Sequence, residues 1–220
     1  MMRAPADILL LAWKDLRLEG RARAALPTMM VGGVLFLVVL AMGGGVDKSG
    51  QGAATILWGA LLVSAVLGVE RGMAVEREGG ALAGVLLTPV DRGVVFLAKL
   101  AANLALLAVT ALAVSAVGMV LFGLGVGDGT AGFASAIGLG LVGVAAVGTL
   151  FAAVLGGGTG RRGLLVLLVL PLCAPVVVVS GRAAAALAAG GDGPGLGVLV
   201  AFDVVYVVGG WLAFEHVVDL

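Results

Sequence analysis

One cysteine, one histidine and one tyrosine are all that this 220-residue chain holds of three reactive side-chain types. Cys173 alone excludes an intrachain disulfide and reads as a small buried apolar residue. His216 alone excludes a bis-histidine heme site within one chain, and beside Glu215 it reads as a surface residue. Neither a Cys-x-x-Cys-His attachment motif nor a paired-Asp motif for diphosphate substrates is present. An ordinary hydrolase or metalloenzyme is therefore disfavoured, and no metal or catalytic residue is assigned. Aromatic residues make up only 5% of the chain and charged residues 12%.

What fills the chain instead is apolar: 61% of residues are hydrophobic and the mean hydropathy is +1.21. Six runs stand out, at about 24–42, 53–69, 100–122, 132–155, 164–180 and 196–214. As helices they would span about 25–36 Å, against a hydrocarbon core of ~30 Å. Backbone groups in lipid have to be satisfied within the segment, which makes helices the default. The sequence thus predicts an all-α integral membrane protein with six transmembrane helices, forming one membrane domain over residues 1–220.

The formal net charge is zero, but its distribution is informative. Eleven of the thirteen Lys and Arg residues fall before the first run or in the loops after the second and fourth. Only Lys48 and Arg182 lie in the alternate loops. The positive-inside rule places both termini and residues 70–98 in the cytoplasm, with 43–52 and 181–195 outside. Some 23 residues precede the first run, and Ala41-Met42-Gly43 is a poor cleavage site, so no cleaved signal peptide is expected.

Residues 6–20, "ADILLLAWKDLRLEG", predict an interfacial helix. Ile8, Leu9, Ala12, Trp13 and Leu16 would share one face, with Asp7, Lys14, Arg17 and Arg21 on the other. In the fourth run Gly132, Ala136 and Gly140 recur at spacing four, as do Gly148, Ala152 and Gly156; such rows let helices approach closely. Pro171 and Pro175 predict a kink in the fifth. The loop "AAAALAAGGDGPG" should begin as a short helix and end in turns.

"GGGTGRRG", at 156–163, lacks the Lys-Ser/Thr pair of a phosphate loop and follows a membrane span, so it reads as a turn. Asp203 lies about 10 Å into the sixth run, where an Asp costs ~2.5–3.5 kcal/mol on insertion scales. It needs a partner or a wet cavity. Asn103, Thr110 and Ser115 on the third run are candidate polar partners by type, and Asn103 and Asp203 are the intramembrane polar residues singled out.

Residues 68–93 gather four acidic and three basic residues between the second and third runs. Glu76-Arg77-Glu78 reads as strongly solvated, Gly79-Gly80 permits a sharp turn, and residues 81–87 can form two helical turns that Thr88-Pro89 would end. Leu82, Val85 and Leu86 fall on one side of that helix, suited to a groove on a soluble partner.

These residues carry a family resemblance. "EREGGALAGVLLTPVDRG", 76–93, resembles the coupling segment of ABC-2-type permeases. With "ILLLAWKDLRLE" (8–19), "AAVGTLFAAVLGG" (145–157) and "AFDVVYVVGGWLAFEHVV" (201–218), nearly the whole chain resembles the heme exporter protein B family, the permease of cytochrome c maturation. Ala83 departs from a commonly acidic position and His216 from a commonly aromatic one. The resemblance implies that the segment carrying Glu76, Arg77, Glu78, Leu82, Val85, Leu86, Pro89, Asp91 and Arg92 couples to a separate ATP-binding subunit. It implies a homodimer in the bacterial cytoplasmic (inner) membrane, a heme-handling membrane partner and a periplasmic heme chaperone. ATP and Mg would belong to the partner subunit, heme would be cargo of the complex, and no nucleic acid is involved. This chain has only Trp13, Trp58 and Trp211, so it does not itself carry a tryptophan-rich heme site. The rival readings are a general ABC-2-type exporter of a lipid, drug or polysaccharide, and a membrane scaffold that moves nothing.

Overall fold

The computed structural model describes residues 4–23, 25–43, 50–79, 91–123, 129–155 and 162–217. Among these residues there are seven α-helices and no strand. They are α1 (Ala4–Ala22), α2 (Ala25–Met42), α3 (Gly50–Gly79), α4 (Arg92–Phe122), α5 (Thr130–Leu155), α6 (Arg162–Ala188) and α7 (Leu196–Val217). All but α1 are long and apolar enough to cross a membrane. The chain is an all-α, multi-pass membrane protein.

Glycine decides how the bundle closes. In α2 the buried residues Ala25, Met29, Gly33 and Leu37 recur every four positions, giving one seam against α3. A methyl group on Gly33 would overlap the Ser64 hydroxyl, which is shared between the Met29 and Ala60 carbonyls at 2.9 Å each. The opposite face of α2, with Val31, Leu35 and Val39, is exposed and suits lipid.

Helix α5 is the centre, because its small residues admit a neighbour on several sides. Gly132 lies against Leu187 of α6, Ala136 is fully buried, and Gly140 receives the Trp58 ring of α3 and the Ser180 hydroxyl of α6. Gly143 faces Asp203 and Phe202 of α7, and Gly148 faces Val69 of α3. The row Gly132–Ala136–Gly140 is therefore a packing surface. In the second row Gly148 is in close contact and Ala152 half-buried, while Gly156 lies outside the described residues.

Several helices run further than hydropathy predicts. Helix α3 passes the expected end at Val69 and continues to Gly79, so Glu70, Arg71 and the backbone of Glu76-Arg77-Glu78 are helical. Charge ended the apolar signal there, but between Leu67 and Gly79 only Gly68 and Gly72 disfavour a helix, and no proline interrupts it. Helix α4 starts at Arg92, eight residues before the apolar run, because Asp91 caps it. Helix α6 does not stop at Ser180 for a separate short helix. Alanine, the best helix former, carries it on to Ala188. Gly190, at φ +76, and Gly191 then close it by donating to Leu187 O (3.0 Å) and Ala186 O (2.9 Å), the Schellman pattern. Pro171 and Pro175 lie within α6, four residues apart on its exposed side. The proposed turn at Gly80, the helix over 81–87, Leu82, Val85, Leu86 and Pro89 lie outside the described residues, as do 44–49 and 156–161.

The N-terminal helix also differs from expectation. Its apolar face is divided: Ala12 is buried and Leu11 packs on the core, whereas Leu9, Leu10 and Trp13 stay exposed. The protein side of α1 packs on α4. Arg17 is not opposite Trp13 but over it, with the guanidinium carbon 5.0 Å from the ring centroid. Exposed leucines beside a Trp–Arg pair are what an interfacial helix presents to a bilayer.

Glu19, on the protein side of α1, is only 7% exposed. Its Oε1 accepts hydrogen bonds from Ala25 N (2.6 Å) and Leu26 N (3.1 Å), two of the orphan donors that open α2. Arg23, at φ 49, turns the chain between the two helices and donates its own N–H to Glu19 O (2.7 Å). Glu19→Ala is expected to destabilise the protein by ~1–2 kcal/mol, the usual cost of a lost cap, and Glu19→Gln by less because an acceptor oxygen remains. Thermal unfolding of the purified protein in one detergent reads the difference; equal melting of all three forms would contradict the cap.

Candidate functional site

Two regions place polar or closely fitted side chains where function can act on them. The first is the end of the bundle at which α4 begins and α7 finishes. The Asp91 carboxylate accepts from Gly93 N at 2.7 Å and so fixes the first turn of α4. A glycine in that turn lets the indole of Trp211 seat against the backbone, where an added methyl would overlap it. One helical turn further along, Phe96 is fully buried against Gly210 of α7, where an added methyl would meet its ring. Phe96 also stacks on Phe214, with centroids 5.7 Å apart at 50°. Each helix thus gives a glycine to the other's aromatic ring.

The seam of α7 explains why it meets α4 in this way. Leu199, Asp203, Gly210 and Phe214 are buried and fall at steps of four, seven and four, which keeps them on one face. Val200, Val204, Val205, Val208 and Leu212 point outward.

The second region lies two turns along that face, at Asp203. Its side chain is 8% exposed, and neither carboxylate oxygen has a hydrogen-bond partner among the described residues. Two more buried polar atoms share this state, Trp58 Nε1 on α3 and Ser180 Oγ on α6. By helical rise Asp203 lies about 10 Å, and Trp58 and Ser180 about 12 Å, from the ends of their helices on the same side of the bundle. All three are gathered around α5, Trp58 and Ser180 on Gly140 and Asp203 on Gly143. The result is one polar level within an otherwise apolar core. An unpaired buried polar group costs ~1–3 kcal/mol, so chance alone is a poor reason for three at one depth.

Asn103 belongs elsewhere. Its Nδ2 donates to Thr149 Oγ1 at 2.9 Å and ties α4 to α5. Thr110 Oγ1 donates to Leu106 O within its own helix. Neither they nor Ser115 bonds to Asp203, so the pairing suggested by residue type is not the one formed. Among the described residues, no three His, Cys, Asp or Glu side chains come together.

The family model for the CcmB protein matches residues 6–220. The chain belongs to the CcmB family. That family supplies a membrane transport subunit, not itself an enzyme, to the heme exporter system of cytochrome c maturation. The search of curated proteins gave no match.

For a CcmB-family chain the residues chosen from sequence divide sharply. Asp91 and Arg92 stand at the start of α4, and Glu76, Arg77 and Glu78 on the last turns of α3. Trp58, Ser180, Gly93 and Trp211 were not singled out for any role, nor was Glu19. Asp91 before Arg-Gly-Val-Val carries a legible cap signal, since Asp before an apolar run is a standard helix start. Trp58 and Ser180 carry none, because only the packing of three helices on α5 brings them level with Asp203.

Proposed function

We propose that this CcmB-family chain is the permease of an ATP-driven complex in which it does not hydrolyse ATP itself. Two copies dock on two ATP-binding subunits through residues 70–92. Closure of those subunits moves α3 and α4, and the complex releases the heme-loaded periplasmic chaperone. The observation that carries this reading is the match to one family along nearly the full length of the chain. It is supported by the form of α3, which is helical without a break from its membrane-spanning part to Gly79 and can act as a lever. The cap at Asp91 supports it too, because a fixed first turn lets a push on the segment reach α4 instead of unwinding it.

The distribution of Lys and Arg supports an inner-membrane orientation with both termini in the cytoplasm. Reporter fusions at Gly50 and Gly191 are expected to behave as external and one at Gly80 as internal; a reversed pair would reject that topology. The function itself is tested by purification in mild detergent. An ATP-binding subunit and a heme-binding membrane protein should accompany the chain, and ATP should release the loaded chaperone. Co-purification with no nucleotide-dependent change would favour a scaffold instead.

A further inference from the structure

We propose that Trp211 and Phe96, seated on Gly93 and Gly210, form the joint that passes movement of the coupling segment from α4 to α7 and so to Asp203. The inference rests on the coupling role of residues 70–92 and names what that role acts upon. Gly93 is the second residue of α4, directly after the segment, and its indole neighbour belongs to the C-terminal helix. Phe96 and Phe214 are both fully buried, so the contact behind Trp211 has no slack. On α7, Gly210 and Asp203 are seven residues apart, two turns along one face, so a rotation or tilt at Gly210 carries Asp203 with it. The seam of α7 is narrow, and only 17% of its spanning window is buried, so this helix is held by less than α3, of which 61% is buried. Besides α4, helix α7 packs on α5 and α6, so a push at the start of α4 reaches it through the Gly93–Trp211 contact and tilts it along its seam on α5.

The two glycines are not equivalent. Trp211 is 45% exposed, so a methyl on Gly93 can be relieved by swinging the indole outward. Gly93→Ala therefore opens the joint with little loss of fold. Phe96 has no such outlet, and Gly210→Ala would disturb the core itself. Trp211 and Phe96 are positioning residues in this scheme, acting through the helix and not on cargo.

The test uses the assembled complex, with Cys173→Ala and a single cysteine introduced by Val204→Cys on the exposed side of α7, carrying an environment-sensitive fluorophore. A non-hydrolysable ATP analogue should shift the emission in this parent. Gly93→Ala should abolish the shift while the ATP-binding subunit still co-purifies. Trp211→Ala, which adds no atoms, should also lose the shift and decides the matter if Gly93→Ala does not accumulate. An unchanged shift in Gly93→Ala or in Trp211→Ala would overturn the joint and leave the coupling reading standing. No shift in the parent, with the subunit bound, would show that α7 is not driven and would overturn it as well. Absence of any ATP-binding subunit from the purified parent would overturn both.

Discussion

Leu82→Asp combined with Leu86→Asp is expected to strip the ATP-binding subunit from the complex while leaving the permease in the membrane. If residues 81–87 form two helical turns, these leucines and Val85 share one face at i, i+3 and i+4. Burial of each fully covered side chain contributes ~1.5–3 kcal/mol, and every ~1.4 kcal/mol is about tenfold in affinity. Losing two should weaken binding by about a hundredfold or more, and burying two carboxylates would weaken it further. Co-purification with the tagged permease reads this directly. Glu78→Gln should have a milder effect, since a solvated ion pair is typically worth ~0–1 kcal/mol. Leu87→Asp, one residue round the helix, is the control for the face. Equal loss in Leu87→Asp and in the double variant would mean that the segment unfolds. Full recruitment by the double variant would place the docking surface elsewhere.

Asp203→Asn is expected to depress cytochrome c maturation by about ten- to a hundredfold, with insertion and assembly intact. The range is that of a charge-assisted hydrogen bond from the carboxylate to cargo or to a partner chain, ~1.5–3 kcal/mol, weakened in the neutral amide and read at ~1.4 kcal/mol per decade. Asn keeps the size of the side chain and most of its hydrogen bonding, so the variant removes charge and little else. The carboxyl group is buried without a partner among the described residues, level with Trp58 Nε1 and Ser180 Oγ. If these groups act as one polar level, Trp58→Phe and Ser180→Ala should lower maturation in the same assay and add little on top of Asp203→Asn. Such non-additivity is the sign of a shared role. Maturation at the parental level in Asp203→Asn would return the residue to a purely structural place between α5 and α7.

How far the sequence could be read depended on the physical signal each feature leaves. Six spans were legible because a run of apolar residues long enough for a bilayer has few other uses. The ends of α3, α4 and α6 were not, because hydropathy stops at the first charge whereas a helix stops only at a breaker or a cap. Glu70 and Arg71 end the first signal but not the helix. The row Gly132–Ala136–Gly140 was visible as spacing, yet its partners Leu187, Trp58 and Ser180 come from other helices and have no local mark. Asp203 was conspicuous by its cost, whereas its neighbours were misjudged by type: Asn103 looked available, and it is bound to Thr149. The face of Leu82, Val85 and Leu86 was readable from helical spacing, and its coupling to an ATP-binding subunit from the family resemblance.

The bond from Glu19 to α2 bears on how the protein can be handled. Residues before the first span look like an appendage to be trimmed for expression. Here they hold the acceptor for the opening amides of that span, and Leu11 and Ala12 are packed on the bundle. A tag placed ahead of Ala4 leaves this arrangement alone, whereas removal of residues 4–22 would send α2 into the bilayer with its first two amides bare. The first span is fastened by its predecessor.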